Sequence, residues 1–236
     1  MEYLLDDPVS ERNYQEILRK VRLLQNGEVA DSMGQRGVVY KLNLGASVIS
    51  LQQLAAQYQP DHLLALKLWN KQWRETLILA TLLEKSEEVT ENQMDFWVKQ
   101  IQQVEIAEQL AMNLFSRTPF AFEKAVEYGL GKKNLSKITG LLMMGRLALT
   151  DRSAANEQFE IFLELFPPLA KDAHLSLVFR RVFVQIAMRN PDLYEIALQQ
   201  AHLLLTLDSA VAKENAKSLI EQLECDAVKE LVAKRF

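Results

Sequence analysis

Between Asp7 and the C-terminus the chain is punctuated as a run of helices, and no segment carries the sustained apolar–polar alternation of a strand. Asp7-Pro8 and Asn190-Pro191 each pair a capping side chain with a proline suited to a first turn. Asp61 follows Pro60 as a cap, and Thr90-Glu91-Asn92-Gln93 reads as a capping box. The spacing predicts helices from Asp7 to Gln25 and at about 47–59, 61–70, 72–85, 90–102, 104–116, 119–130, 134–149, 154–169, 174–189, 191–207 and 209–233. Asn26-Gly27 stops the first. Residues 28–46, broken by Gly34, Gly37 and Gly45, read as irregular, with Val38 to Tyr40 extended.

About a dozen helices joined by short loops must pack as antiparallel neighbours. Helix pairs recur every 35–40 residues, the spacing of HEAT-type arrays. The expected fold is therefore all-α, an α-solenoid of HEAT-like antiparallel pairs with a concave face. A compact helical bundle is the alternative. A single domain over 1–236 is expected, with 1–46 as an irregular cap and 47–236 as the array.

Composition agrees. The chain is 49% hydrophobic, and its 8 Gly and 6 Pro sit mostly at segment ends, which suits helices rather than a many-turned β fold. Cys225 is the single cysteine, so no internal disulfide forms, which fits a reducing, cytoplasmic compartment. The opening MEYLLDD lacks the basic-then-apolar pattern of a signal peptide. The apolar run around Leu141 to Met144 is cut by Arg146, well short of the ~20 residues of a membrane span.

The net charge is −4, which argues against a protein that coats nucleic acid indiscriminately. Charge is uneven, however. Arg117 to Arg189 holds 11 Lys and Arg against 7 Asp and Glu, a net of +4, whereas the remainder carries −8. A basic middle of this kind can hold a phosphate backbone; mixed charges that merely solvate helix surfaces are the plainer explanation.

Val104 to Lys124 (VEIAEQLAMNLFSRTPFAFEK) reads as two helices meeting at a Ser116–Pro119 corner. Val104, Ala107, Ala111 and Leu114 form an apolar stripe, Glu105, Glu108, Gln109 and Ser116 a polar face, and Thr118 caps the next helix at Pro119. Its core, QLAMNLFSRTPFAFEKA, resembles the segment MNLFxRTPFAxEKA of the bacterial DNA-alkylation-repair glycosylases, the AlkD-like proteins. Weaker echoes are HLLALKLWN at 62–70, TENQMDFWV at 90–98 and QIAMRN at 185–190, so the similarity runs from near Tyr40 to near Arg189.

The resemblance implies a HEAT-like superhelix with duplex DNA on its concave face. It also implies release of N3- or N7-alkylated purines, with an Asp and two Trp around the deoxyribose and basic residues on the backbone. Anchored on Met112–Phe115, the family's Asp falls on Glu108 and its first Trp on Val104. Anchored on QIAMRN, the second Trp falls on Arg181, or on Gln185 after a one-turn shift. A family basic residue falls near Lys137. The carboxylate is thus kept one methylene longer, and both aromatic walls are lost. A carboxylate in such a place stabilises the cationic sugar that develops as a glycosidic bond breaks.

No HxxxH or CxxC spacing supports a metal, since His62, His174 and His202 are far apart. Gly129-Leu130-Gly131-Lys132-Lys133 lacks the Gly and the Ser or Thr of a phosphate loop. No cofactor, no metal, no membrane contact and a monomer are expected. The candidate residues are Glu108 for catalysis, Val104 and Gln185 as lesion-site lining, and Arg117, Lys137, Arg146, Arg180 and Arg181 for DNA. Three functions remain open: an alkylpurine DNA glycosylase, a non-catalytic binder of branched or damaged DNA, and a protein-interaction scaffold.

Overall fold

The computed structural model describes residues 7–235, with side chains through Val232. Fifteen α-helices and two 3-10 turns, and no strand, occur among the described residues. The chain divides into two compact units, Met1–Pro119 and Phe120–Phe236.

The first unit contains α1 (Pro8–Leu23), α2 (Gly27–Gln35), α3 (Val48–Ala55), α4 (His62–Lys71), α5 (Arg74–Leu83), α6 (Glu91–Gln100) and α7 (Val104–Asn113), then a 3-10 turn at Phe115–Arg117. The expected caps are in place. Asp7 accepts from the Ser10 N–H, Asp61 from the Leu64 N–H and Thr90 from the Gln93 N–H. The Gln93 side chain does not complete the box; its amide donates to Glu84 instead.

Helix α2 corrects the expectation of irregular structure after Asn26. That asparagine ends nothing: its side chain caps α2 by accepting from the Val29 N–H. Irregular backbone is confined to 36–46 and closes on Gly45 (φ +73°), where a β-carbon would collide with the Asn26 carbonyl.

Helix α5 packs between α4 and α7, with α3 beside it, and α1 covers α4. Every residue from Arg74 to Thr81 is buried, as expected of a helix surrounded by others. Trp69 of α4 and Trp97 of α6 stack with ring centroids 4.0 Å apart and planes 3° from parallel. The Trp69 indole N–H donates to Gln100 at 2.6 Å. Trp69 and Trp73 do not share a face, because Gln72 turns left-handed (φ 59°) between them.

The second unit contains α8 (Ala121–Gly129), α9 (Asn134–Thr150), α10 (Asn156–Glu164), the short α11 (Phe166–Leu169), a 3-10 turn at Ala173–Leu175, and α12 (Ser176–Ala187). It ends with α13 (Pro191–Leu204), α14 (Ala210–Glu224) and α15 (Asp226–Arg235). Helix α8 starts two residues later than the sequence predicts. Thr118 does not cap it; its hydroxyl donates to the Phe115 carbonyl, and the Lys124 N–H bonds back to Phe120. Asn190 does cap α13, accepting from the Leu193 N–H.

Helix α9 lies between α8 and α12, and α13 and α14 continue the packing beyond α12. Close approach is set by glycine. A β-carbon on Gly140 would overlap Gly129 and lie 2.6 Å from the Ala125 carbonyl, so α8 and α9 touch backbone to backbone. The unit's core is aromatic: Phe122 meets Phe159 and Phe162, and Phe166 meets Phe179 and Phe183, with centroids 5.2–5.7 Å apart.

Candidate nucleic-acid interface

In the first unit the Arg74 guanidinium takes the Glu105 carboxylate in a two-pronged grip, Nε to Oε2 at 2.8 Å and Nη2 to Oε1 at 2.6 Å. Its Nη1 donates to the Ala46 carbonyl and to Glu75. Glu75, fully buried, accepts from the Leu44 and Ala46 N–H groups, and the Tyr40 hydroxyl donates to Glu105 at 2.7 Å. Burial pushes the Glu105 carboxyl up, but the hydrogen bonds from Arg74 and Tyr40, with the Arg74 charge, outweigh it and hold it below its ordinary value. Burial and the Glu105 bond push the Tyr40 phenol far up. The cluster binds segment 40–46 to α5 and α7.

This network revises the reading of α7. Glu105 leaves the polar face for Arg74. Gln109 is buried, and its carbonyl oxygen accepts from Asn113, which also donates to Thr81. Ala107, Ala111 and Leu114 are inward as expected, but Val104 is 39% exposed. The solvent-facing stripe of α7 is Val104, Glu108 and Met112, one helical turn apart from each other. The two residues that the resemblance places at the sugar therefore do share a face, without an aromatic ring on that stripe. Arg117 is exposed on the 3-10 turn that follows.

In the second unit, α9 and α12 meet at Gly145, where a β-carbon would overlap the Gln185 amide oxygen and lie 3.0 Å from Val182. Residue 146 is about 100° further round the helix, so Arg146 lies half-exposed beside that seam, with Leu149 exposed a turn later. Across the seam Arg181 lies one turn before Gln185 on the exposed face of α12, beside Leu177. Gln185 thus lies against Gly145, with Arg146 the next residue of α9 and Arg181 one turn before Gln185 on α12. Arg146 forms no ion pair among the described residues. Neither helix holds an Asp or Glu along its 17 or 12 residues.

The remaining candidate cations turn elsewhere. Lys137 lies on the opposite side of α9 from Arg146 and is paired with Asp172 at 3.3 Å. Arg180 points to α14 and donates to Asn215, which in turn donates to the Ala170 carbonyl and the Ser176 hydroxyl oxygen. Arg189, part of the QIAMRN segment but not among the candidate DNA contacts, donates to the carbonyls of Ala148 and Ala154 and lies over the Phe159 ring at 4.2 Å. It fastens the loop between α9 and α10.

Among the described residues no group of three or more His, Cys, Asp and Glu is placed to hold a metal ion, and no helix is long and apolar enough to cross a membrane. One carboxylate is conspicuous. Glu84, its side chain fully buried, accepts from Gln93 at 2.7 Å and from the Lys85 N–H, with His62 Nδ1 at 2.8 Å. Burial raises its carboxyl above the ordinary value; the His62 and Gln93 hydrogen bonds only partly offset this.

The fold defines a class. The chain is an all-α, HEAT-like helical-repeat protein, and it superposes on a solved structure of that kind with a TM-score of 0.73 over 89% of this chain and 94% of the other, at 13% identity. That structure is described as belonging to a new family of proteins related to the HEAT-like repeat DNA glycosylases, with affinity for branched DNA structures. No family model and no curated protein matches the sequence.

Proposed function

We propose that the chain is a DNA-structure binder that holds the phosphate backbone along the α9–α12 seam and performs no base excision. The observation that carries this is the pairing of two acid-free helices whose adjoining solvent faces present Arg146 and Arg181, in a chain of net charge −4. Guanidinium groups on such a surface suit phosphate oxygens, which accept two parallel N–H bonds. Gln185 at the floor adds an amide that can donate or accept. The fold's likeness to a protein with affinity for branched DNA supports the same reading.

Base excision is disfavoured by the Glu108 stripe. Its carboxylate is half-exposed between Val104 and Met112, so the stripe offers nothing to stack on a sugar or base. A carboxylate without such walls neither excludes water nor fixes a sugar in line with it.

Binding of labelled four-way junction and linear duplex DNA, followed by fluorescence anisotropy over a salt series, tests the proposal. Binding should favour the junction and weaken steeply with salt. The double substitution Arg146→Glu, Arg181→Glu should weaken it at least about tenfold and flatten the log–log salt slope by about two, since each phosphate contact contributes roughly 0.9. Salt-insensitive binding, or a double variant with wild-type affinity, would overturn it.

A further inference from the structure

The first unit carries a cation site that none of the preceding roles uses. Trp73 occupies the corner between α4 and α5. Two cations lie over its ring: Lys71 with Nζ 4.7 Å from the centroid, and Arg22, from the last turn of α1, with Cζ at 5.5 Å. The two charges are therefore within about 10 Å of each other, although their residues are 49 apart in the chain.

Compensation sets this pair apart. The other lysines that lie over rings each have a carboxylate partner: Lys20 with Glu16, Lys67 with Glu11 and Lys124 with Glu127. Lys71 and Arg22 form no ion pair among the described residues. Like charges gathered around one ring without a counter-charge repel, and an anion that reaches both relieves that repulsion. The corner is also strained to place them. Gln72, between Lys71 and Trp73, holds a left-handed backbone (φ 59°) that a non-glycine residue adopts at a cost, and both its N–H and its side-chain amide donate to the Trp69 carbonyl. The indole, 8% exposed, gives both cations an aromatic contact at a buried, well-fixed ring.

We propose that Lys71 and Arg22 on Trp73 form a phosphate clamp that takes a backbone phosphodiester of the bound DNA. The site rests on the DNA-binding reading but lies in the other unit, so the two can fail separately. Arg22 supplies a planar fork for two phosphate oxygens, Lys71 a point charge on a third, and Trp73 the ring that both cations contact.

The test is junction-DNA anisotropy over a salt series with wild type, with Lys71→Gln, Arg22→Gln, and with Lys71→Arg. Intrinsic tryptophan fluorescence under inorganic phosphate is measured alongside. The double substitution should weaken binding about tenfold and flatten the salt slope by about two, whereas Lys71→Arg keeps both. Thermal unfolding of the double variant should match wild type, because Arg22 is exposed and Lys71 half-exposed; should it not, Arg22→Gln alone, with a slope change of about one, decides the matter. A double variant that binds like wild type overturns the clamp and leaves the α9–α12 reading intact. Wild type that fails to bind DNA overturns both. Millimolar phosphate that shifts tryptophan emission, with unchanged DNA binding, would assign the site to a free phosphate and overturn the nucleic-acid role.

Discussion

Arg74 and Glu105 meet as a planar fork on a carboxylate, 2.6 and 2.8 Å across two parallel hydrogen bonds, inside a unit where Arg74 is 4% exposed. The pair matters more for the backbone it holds than for its own attraction. Arg74 also binds the Ala46 carbonyl, and Tyr40 reaches Glu105, so this carboxylate, together with Glu75 on the Leu44 and Ala46 N–H groups, secures segment 40–46.

Glu105→Gln should therefore destabilise the protein by about 3 kcal/mol, the range for breaking one partner of a buried pair, measured by urea unfolding. The pH dependence has a fixed sign. The folded carboxyl lies below the ordinary 4.5, so its contribution is complete above that value and is lost as pH falls through the folded value. Wild type should lose its advantage over Glu105→Gln in that acid range. A constant gap between the two down to pH 3 would contradict the assignment.

Glu84 should behave in the opposite way. Its folded carboxyl lies above 4.5, so the native state holds the proton more tightly than the unfolded chain. Stability is then highest below 4.5 and declines as pH rises toward the folded value. Glu84→Gln removes that decline. Unfolding free energies from pH 4 to 7 should show wild type falling relative to the variant; parallel curves would exclude a raised carboxyl.

The two seam glycines should differ. Alanine at Gly140 meets backbone, the Gly129 amide and the Ala125 carbonyl, neither of which can swing aside. Gly140→Ala should cost about 3 kcal/mol or more and lower the melting temperature sharply. Alanine at Gly145 meets the end of the Gln185 side chain first, which can turn away at roughly 1 kcal/mol. Calorimetry of both variants compares them directly. An equal loss at the two sites would show that α9 and α12 are as tightly locked as α8 and α9.

Duplex DNA carrying N7-methylguanine or N3-methyladenine should yield no released base above the spontaneous rate, and Glu108→Ala should change nothing. Chromatographic detection of free base at high protein concentration checks this. Release that disappears with Glu108→Ala would reinstate excision, with Glu108 as the carboxylate beside the developing cation.

Helix punctuation was legible because caps are local: Asp7, Asp61, Thr90 and Asn190 bond to N–H groups three residues away, and no distant residue can alter that. Asn26 was misread because the same side chain that closes a turn also opens a helix, and residues 27–35 alone do not show which. Thr118 failed as a cap because its hydroxyl found the Phe115 carbonyl behind it. Glu105 and Glu108, three apart, look alike in the sequence. The first is drawn inward by an arginine 31 positions earlier, and the second stays on the exposed stripe.

The chain by itself determined that it would be helical, where most helices begin, and which stretches lack carboxylates, since these depend on neighbours within a turn or two. Tertiary structure alone decided which cations share a surface. It set α9 against α12 at Gly145 and Gln185, gave Lys137 to Asp172 and Arg180 to Asn215, and brought both Arg22 and Lys71 to the Trp73 ring. Charge acts through space rather than along the sequence, so its partners are fixed only once the helices have packed.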